Sequence, residues 1–321
     1  MPRMMINAMV GMFLLLPSVV YAQATIDPEL PIYKATSAVS GSIKSIGSDT
    51  TNNLMTLWGE EFKQYYPSAQ IEVEGKGSST APPALIEGQA QFGPMSRPMK
   101  SSEIDQFESA FGYKPVVLRT AIDALAVFVH KECPLDEISI DQLTEVFSVR
   151  GRDTTWGDLG VTDAAWTSRP VSVYGRNSAS GTYGYFKSVA LQGNDYKASV
   201  KEQPGSSAVV QGVATDRYSM GYSGVGYATA DVKMLRVSLD GDEAFGPDAE
   251  SANSGEYPLA RFLYVYINAD PIKGLDPLRA EFVKLIFSRQ GQEVVLKDGY
   301  YPVSAEIARQ DLLSCGIQPA F

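Results

Sequence analysis

The stretch of residues 176–182 (RNSASGT) has the composition of an anion-binding turn. It follows a strand-like run at residues 171–174 and precedes apolar residues at helical spacing. The first N–H groups of a helix lack intrahelical partners, so Ser180, Gly181 and Thr182 would offer donors at the positive end of the helix dipole. Arg176 adds a planar and permanently charged group. An ordinary helix cap beside a solvated arginine would have the same sequence, and this stretch alone does not separate the two interpretations.

Three further turns of small or hydroxyl-bearing residues also follow predicted strands. They are residues 47–50 (GSDT), 77–80 (GSST) and 95–97 (MSR). In parallel α/β sheets such turns gather at the carboxyl ends of the strands, where ligands bind. Separate helix caps would explain each turn singly, but they would not require the glycines at 75, 77 and 181. We therefore predict one anion site shared by the four turns.

The turns lie in a repeated order of strand, small-residue turn and helix. Strands are predicted at residues 41–46, 69–74, 116–118, 124–129, 171–174 and 259–268, and helices at 52–66, 82–87, 100–111, 140–147 and 278–288. Residues 240–256 are predicted to form an acidic loop. This order predicts an α/β fold with a mostly parallel sheet.

Catalytic and metal-binding motifs fit the sequence poorly. His130 is the sole histidine, so a Ser-His-Asp triad would depend on it, yet it ends an apolar run like a strand-end residue. Asp240, Asp242 and Glu243 could hold a metal, although a solvated acidic loop explains them better. No sequence motif calls for a cofactor, and we expect no resident metal and no catalytic residue.

The first 24 residues have the features of a secretory signal peptide. Arg3 precedes an apolar run at residues 8–20, and small residues follow at the expected cleavage point. The run is too short for a membrane-spanning helix. We expect residues 1–24 to be removed on export, and residues 25–40, which hold scattered prolines, to form a flexible leader.

Charge and cysteine content limit the classes of partner. The 321-residue chain, long enough for two domains, has a net charge of −10, which argues against a nucleic acid or an anionic membrane as partner. A recessed group of N–H donors still suits a small anion, because salt screens distant charge. Cys133 and Cys315 could pair in an exported protein or stay as two buried thiols.

Three motifs together resemble a known family. Residues 176–182, residues 75–79 (GKGSS) and the pair Phe92-Gly93 resemble the phosphate-binding proteins of bacterial phosphate ABC transporters, which have the type II periplasmic binding-protein fold. The resemblance extends over residues 42–303. It implies a set of phosphate ligands, Ser48, Thr50, Ser78, Arg176, Ser180, Gly181 and Thr182, to which the turn at 95–97 adds Ser96 and Arg97.

The sequence departs from the family at one position. Many members have an aspartate after the Phe-Gly strand, where it accepts the proton of hydrogen phosphate, and here Ser96 stands there. A carboxylate acceptor favours protonated phosphate over sulfate, which has no proton to donate. Either selectivity is relaxed, or another carboxylate takes this role, for which Asp49 is the candidate.

The resemblance also implies an architecture and a role. Two lobes, residues 41–119 with 263–321 and residues 120–262, would be joined by strands crossing near 118–124 and 259–262, with the anion between them. The protein would be a periplasmic monomer that closes on inorganic phosphate and delivers it to an ABC permease in the inner membrane. The alternatives are a secreted adhesion factor, a weak phosphatase, or a binder of sulfate or molybdate.

Overall fold

A long mixed sheet forms the centre of the computed structural model, which describes residues 24–36, 38–240, 243–319 and 321. The predicted signal peptide lies outside the described residues except for Ala24. The strands are β1 (Gly41–Gly47), β2 (Ala69–Gly75), β3 (Phe92–Met95), β4 (Val116–His130), β5 (Glu137–Ser139), β6 (Ser172–Arg176), β7 (Lys201–Gln203), β8 (Ser219–Gly224), β9 (Val232–Met234), β10 (Arg236–Ser238) and β11 (Ala260–Ile267).

Helices flank this sheet, and most follow a strand as predicted. They are α1 (Asn52–Tyr65), α2 (Ala81–Ile86), α3 (Ser101–Phe111), α4 (Ile140–Phe147), α5 (Gly181–Val189), α6 (Ser206–Thr215), α7 (Ala249–Ser254), α8 (Pro277–Ile286), α9 (Arg289–Lys297) and α10 (Ala305–Ser314). None of the helices in the described part of the chain is long and apolar enough to cross a membrane.

The sheet has two parallel groups of strands joined by an antiparallel pair. Its order is β2-β1-β3-β11-β4-β8-β6-β7, with β9 beside the end of β4. Strands β2, β1 and β3 are parallel and form what we call the first half, while β8, β6 and β7 are parallel and form the second half. The predicted α/β class is confirmed, and its parallel groups explain why the small-residue turns converge.

Strand β4 is longer than the sequence indicated, because the two strands predicted at 116–118 and 124–129 are one strand of 15 residues. Its first part pairs with β11 and its last part with β8, so it passes through both halves. Arg119 and Asp123 interrupt its apolar pattern. Each has a distant partner, Asp311 for Arg119 at 2.6 Å and Arg261 for Asp123 at 2.8 Å, which allows them to lie in a buried strand.

Aromatic side chains pack on both halves. On the first half, Phe282 of α8 makes edge contacts with Phe62 and Phe92 at ring-centroid distances of 5.2 and 5.3 Å. On the second half, Phe186 of α5 stacks on Tyr222 at 3.8 Å. Burial of rings of this size provides much of the packing that holds the turns in place.

Residues 27–33, the first part of the flexible leader expected for residues 25–40, are held against the rest of the chain. Leu30 and Tyr33 are buried, and the hydroxyl of Tyr33 donates to Glu281 of α8 at 2.7 Å. The backbone N–H of Arg289 donates to the carbonyl of Pro31 at 2.8 Å. Scattered prolines suggested flexibility, but this segment is ordered by contacts with residues about 250 positions away, which no local pattern reveals.

The predicted acidic loop at residues 240–256 contains the short helix α7. Asp248 caps it by accepting from the N–H of Ser251, and Gly255 ends it in the left-handed conformation with φ of 81°. Residues 241 and 242 lie outside the described part. Cys133 and Cys315 are both free and buried, so the interpretation as two separate thiols agrees with the structure.

Candidate functional site

The turn after β6 contains both a helix cap and a buried arginine. The hydroxyl of Ser180 accepts from the N–H groups of Thr182 at 3.1 Å and Tyr183 at 3.5 Å, so Ser180 is the N-cap of α5. Arg176 is only 1% exposed and is therefore not the solvated arginine of the alternative interpretation. A buried guanidinium beside a helix N-terminus is an arrangement suited to an anion.

The guanidinium of Arg176 is only partly satisfied by the protein. Its Nη1 donates to Ser206 Oγ at 2.7 Å and lies 3.3 Å from Asp49 Oδ2, and its Nη2 donates to the carbonyl of Pro204 at 3.2 Å. Among the described residues, its buried Nε has no hydrogen-bond partner. Burial lowers the pKa of Arg176 and Asp49 opposes that shift, and an arginine stays protonated at neutral pH.

Five buried hydroxyl groups from the two halves meet in one cluster. Ser48 donates to Ser96 Oγ at 3.0 Å, and Ser78 Oγ lies 3.3 Å from the same atom. From the second half, Thr182 Oγ1 lies 2.9 Å from Thr50 Oγ1 and 3.4 Å from Ser96 Oγ. The structure thus brings together one or more predicted residues from each of the four turns.

Two glycines permit this approach. A Cβ built at Gly181 would lie 2.7 Å from Ser96 Oγ and nearer still to Ser78 Oγ. Gly77 has a φ of 106°, and a Cβ there would lie 2.6 Å from the carbonyl oxygen of Ala179 in the opposite turn. Close backbone contact between the halves therefore explains why glycine occurs in both turns.

Arg97 differs from the expectation that it would bind the anion. Its Nη1 and Nη2 donate to the two carboxylate oxygens of Glu103 at 2.8 and 2.7 Å, and Nη1 also donates to the carbonyl of Pro98. This bidentate pair occupies the guanidinium and holds it to α3. The turn therefore contributes Ser96 to the cluster, while the Arg97 side chain is bonded to Glu103 of α3.

A second arginine at the cluster, Arg261 of β11, was missed by the sequence analysis. Its Nη2 donates to Thr182 Oγ1 at 2.9 Å, its Nη1 donates to the carbonyl of Ser96 at 2.8 Å, and Asp123 balances its charge. Its position within the strongly apolar strand predicted at 259–268 could have indicated a buried polar site, because a buried charge needs a partner.

Asp49 lies beside Arg176 and joins the halves. Its Oδ2 accepts from the N–H of Ser206, the first residue of α6, at 2.8 Å. The backbone carbonyls of Asp49 and Thr50 accept from the hydroxyl of Tyr227 at 3.0 and 3.2 Å. The turn at 47–50 is therefore fixed by partners in the second half.

This arrangement provides hydrogen-bond donors and positive charge. Serine and threonine hydroxyls, the N–H groups of α5 and a buried guanidinium are suited to hold an oxyanion. Within the described residues, no group of three histidine, cysteine or carboxylate side chains is placed to hold a metal ion. His130 lies at the end of β4 and accepts from the N–H of Glu132 through Nδ1.

Comparison with known sequences identifies the family of the chain. A family model described as a PBP superfamily domain matches residues 34–290. The chain is 50% identical over 303 residues to the phosphate-binding protein PstS of Pseudomonas aeruginosa, covering 92% of this chain and 94% of that protein. It is 26% identical to the phosphate-binding protein PstS of Staphylococcus haemolyticus, covering 86% and 85% of the two chains.

Solved structures have the same fold. A putative phosphate ABC transporter substrate-binding protein from Clostridium perfringens, with bound phosphate, aligns with a TM-score of 0.69 at 22% identity, covering 82% of this chain and all of that one. An ABC-type phosphate transport receptor from Vibrio cholerae aligns with a TM-score of 0.65 at 21% identity, covering 81% and 100%. The predicted periplasmic binding-protein fold and the family resemblance are confirmed. The chain belongs to the PBP superfamily and, within it, to the family of the PstS proteins.

Proposed function

We propose that this protein captures inorganic phosphate between its two halves and delivers it to an ABC permease in the inner membrane. In this role it acts in the periplasm, as a monomer, after removal of residues 1–24. The names of its relatives support this proposal, because a protein 50% identical over nearly the whole chain is a phosphate-binding protein. Those names also describe binding proteins, so we assign no catalytic step to this chain.

The single observation that carries the proposal is the environment of Arg176. A guanidinium that is 99% buried should have every N–H paired, yet its Nε has no partner among the described residues. Thr182 of the hydroxyl cluster and the N-terminus of α5 belong to the turn that follows Arg176. An oxyanion bound there would accept from this N–H and compensate the charge that Asp49 only partly balances.

The predicted ligands are divided between the two halves, which explains how capture would occur. Ser48, Thr50, Ser78 and Ser96 belong to the first half, and Arg176, Ser180, Gly181 and Thr182 to the second. We assign residues 41–119 and 263–321 to one lobe and residues 120–262 to the other. Because the anion reaches both sets of donors only when the lobes meet, phosphate would favour the closed form by its greater affinity for it.

Isothermal titration calorimetry of the mature chain with phosphate, sulfate and molybdate tests the proposal. We expect one phosphate per protein, with sulfate and molybdate at least tenfold weaker, a difference of about 1.4 kcal/mol. Preferred binding of molybdate or sulfate would reassign the ligand. Absence of binding by all three anions would exclude a transport receptor and favour a role that does not use the pocket.

A separate assay tests the phosphatase alternative. We expect no turnover of a phosphomonoester by the purified protein, since no triad or metal group is found among the described residues. Turnover that a chelator abolishes would contradict the assignment as a binding protein. An Arg176→Gln variant serves as the control, because activity that survives it would come from outside the proposed site.

A further inference from the structure

Arg261 and Asp123 form a fixed pair at the hydroxyl cluster. They are register partners across β11 and β4, the two strands that join the halves. The Nε and Nη2 of Arg261 donate to Asp123 Oδ2 at 3.0 and 2.8 Å, and both side chains are buried. Asp123 Oδ1 also accepts from the N–H of Val225 at 3.0 Å, so neither side chain is free to rotate.

The outer face of this guanidinium reaches one residue from each half. Nη1 donates to the carbonyl of Ser96 and Nη2 donates to Thr182 Oγ1. Arginine has donors and no acceptor, so the Thr182 oxygen must accept in this contact. The single proton of the Thr182 hydroxyl then points away from Arg261, towards the cluster that includes Thr50 Oγ1 at 2.9 Å.

The same arrangement recurs around the site. Ser78 Oγ accepts from the N–H of Ser96 at 3.0 Å, Ser180 Oγ from the N–H of Thr182, and Ser206 Oγ from Arg176 Nη1. Each of these oxygens accepts from an N–H, and each hydroxyl keeps one proton to donate. Such a set of hydroxyls suits ligand oxygens that are themselves ionised.

We propose that Arg261, held by Asp123, is a positioning residue that fixes the Thr182 hydroxyl as a donor and so favours the doubly ionised form of phosphate. Singly ionised phosphate has two protons to place, and Thr182, which already accepts from Arg261 and turns its own proton to the ligand, is a poor acceptor for one of them. Asp123 neutralises Arg261, so the pair acts by orienting a hydroxyl rather than by adding net charge. The inference rests on the proposed function and specifies the ionisation state that the site takes.

The experiment measures phosphate affinity by calorimetry from about pH 5.5 to about pH 8.5, a range that spans the second ionisation of phosphate. The main variant combines Arg261→Gln with Asp123→Asn, because it leaves no unpaired buried charge and should fold. Arg261→Lys keeps a donor for Thr182. Arg279→Gln is the matched control, since Arg279 also pairs with a carboxylate and a carbonyl but lies on α8.

We expect the unaltered protein to bind phosphate more tightly as pH rises through the second ionisation. The Arg261→Gln, Asp123→Asn variant should bind doubly ionised phosphate about tenfold more weakly and with a flatter pH profile. The reason is that Thr182 loses its charge-assisted contact with Arg261 and is then free to accept a proton from the ligand. The Arg261→Lys variant should have a pH profile between those of the unaltered protein and the paired variant. Arg279→Gln should change neither quantity.

A double-mutant cycle with Thr182→Val separates positioning from a general structural effect. If Arg261 acts through Thr182, adding the paired change to Thr182→Val should cost no further affinity beyond that of Thr182→Val alone. Additive losses, or a paired variant with the unaltered pH profile, would overturn the proposal. If the protein binds sulfate and no phosphate, the proposed function fails, and the same cycle measured with sulfate still decides the role of Arg261. Binding of neither anion overturns both.

Discussion

Gly181 of α5 lies directly against Ser78, a residue of the other half of the sheet. A Cβ at position 181 would meet Ser78 Oγ well inside contact distance and would lie 2.7 Å from Ser96 Oγ. Both serines are fully buried, so neither can move aside into solvent. The absence of a side chain at 181 is therefore what allows the hydroxyls of one half to meet the helix N-terminus of the other.

Replacing Gly181 with alanine should weaken phosphate binding by about 10- to 100-fold, since an overpacked contact costs about 1–3 kcal/mol. The new methyl group holds the halves apart while each half stays folded, because alanine is favourable in a helix. Calorimetry gives the affinity, and the thermal midpoint of the unliganded protein reports the fold. Gly184→Ala in the same helix is the control, as its Cβ would meet Arg97 Cδ only at 3.4 Å. Equal affinities for the two variants would contradict close contact at position 181.

Replacing Arg176 with lysine should cost at least about tenfold in phosphate affinity although the charge is kept. Lysine cannot supply the planar fork that contacts Ser206, Asp49 and Pro204 at once, and each lost charge-assisted hydrogen bond is worth about 1.5–3 kcal/mol. Calorimetry at two salt concentrations is the measurement. Arg279→Lys is the control. An unchanged affinity would mean that Arg176 acts only as a point charge.

Replacing Tyr227 with phenylalanine should shift the protein towards an open form. Its hydroxyl links the second half to the carbonyls of Asp49 and Thr50, which share its one proton, and a neutral hydrogen bond contributes about 0.5–1.5 kcal/mol. We expect about 2- to 13-fold weaker phosphate binding and a larger radius of gyration by X-ray scattering before phosphate is added. Tyr113→Phe, which removes a hydroxyl bonded to Asn268, is the control. Weaker phosphate binding without a change in the radius of gyration would mean that Tyr227 supports the binding site and does not stabilise the closed form.

Replacing Glu281 with glutamine should remove an acid-sensitive part of the stability. Burial alone would raise the pKa of Glu281, but hydrogen bonds from Thr36, Tyr33, Lys284 and Tyr66 outweigh it and lower the pKa from 4.5 to about 2. A lowered pKa stabilises the fold above pH 4.5, and this contribution is lost as the pH falls towards 2. The shift corresponds to on the order of 3 kcal/mol.

Urea unfolding between about pH 2 and pH 7 measures this contribution as the free energy of unfolding. The unaltered protein should lose stability from pH 4.5 downwards, and the Glu281→Gln variant should lose less, so that the two curves converge in acid. The exposed Glu293→Gln on α9 is the control. Parallel curves for the Glu281 variant and the unaltered protein would show that the Tyr33 contact does not depend on the carboxylate charge.

Local sequence patterns predicted the elements that are simple in sequence. The helix of residues 140–147 and the turns at 47–50 and 176–182 follow from apolar spacing and from small residues at strand ends. The site was predictable to the same extent, because its hydroxyls and glycines occupy those turns. The convergence of four turns follows from the parallel order of the strands.

Features that depend on distant partners could not be predicted in this way. Arg261 meets Asp123 across 138 positions, and Tyr33 meets Glu281 across 248. A charged residue inside an apolar run resembles the end of a strand when only its neighbours in sequence are considered. Arg119 and Asp123 therefore led to a prediction of two short strands where the structure has the single strand β4. Arg97 is predicted as a ligand because it shares a turn with Ser96, but its side chain is held by Glu103, six residues later.

Replacing Asp49 with asparagine tests how phosphate is distinguished from sulfate. The resemblance predicts Ser96 where many family members have an aspartate, and Asp49 is the carboxylate beside Arg176, where its Oδ2 accepts from the N–H of Ser206. If Asp49 accepts the proton of bound hydrogen phosphate, the Asp49→Asn variant should bind phosphate about tenfold more weakly and should show a smaller phosphate-to-sulfate preference. Calorimetry with both anions gives the two affinities.

If Asp49 only balances the charge of Arg176, its neutralisation would strengthen the binding of both anions alike, because both are attracted by the uncompensated guanidinium. Unchanged affinities for both anions would exclude Asp49 from either role.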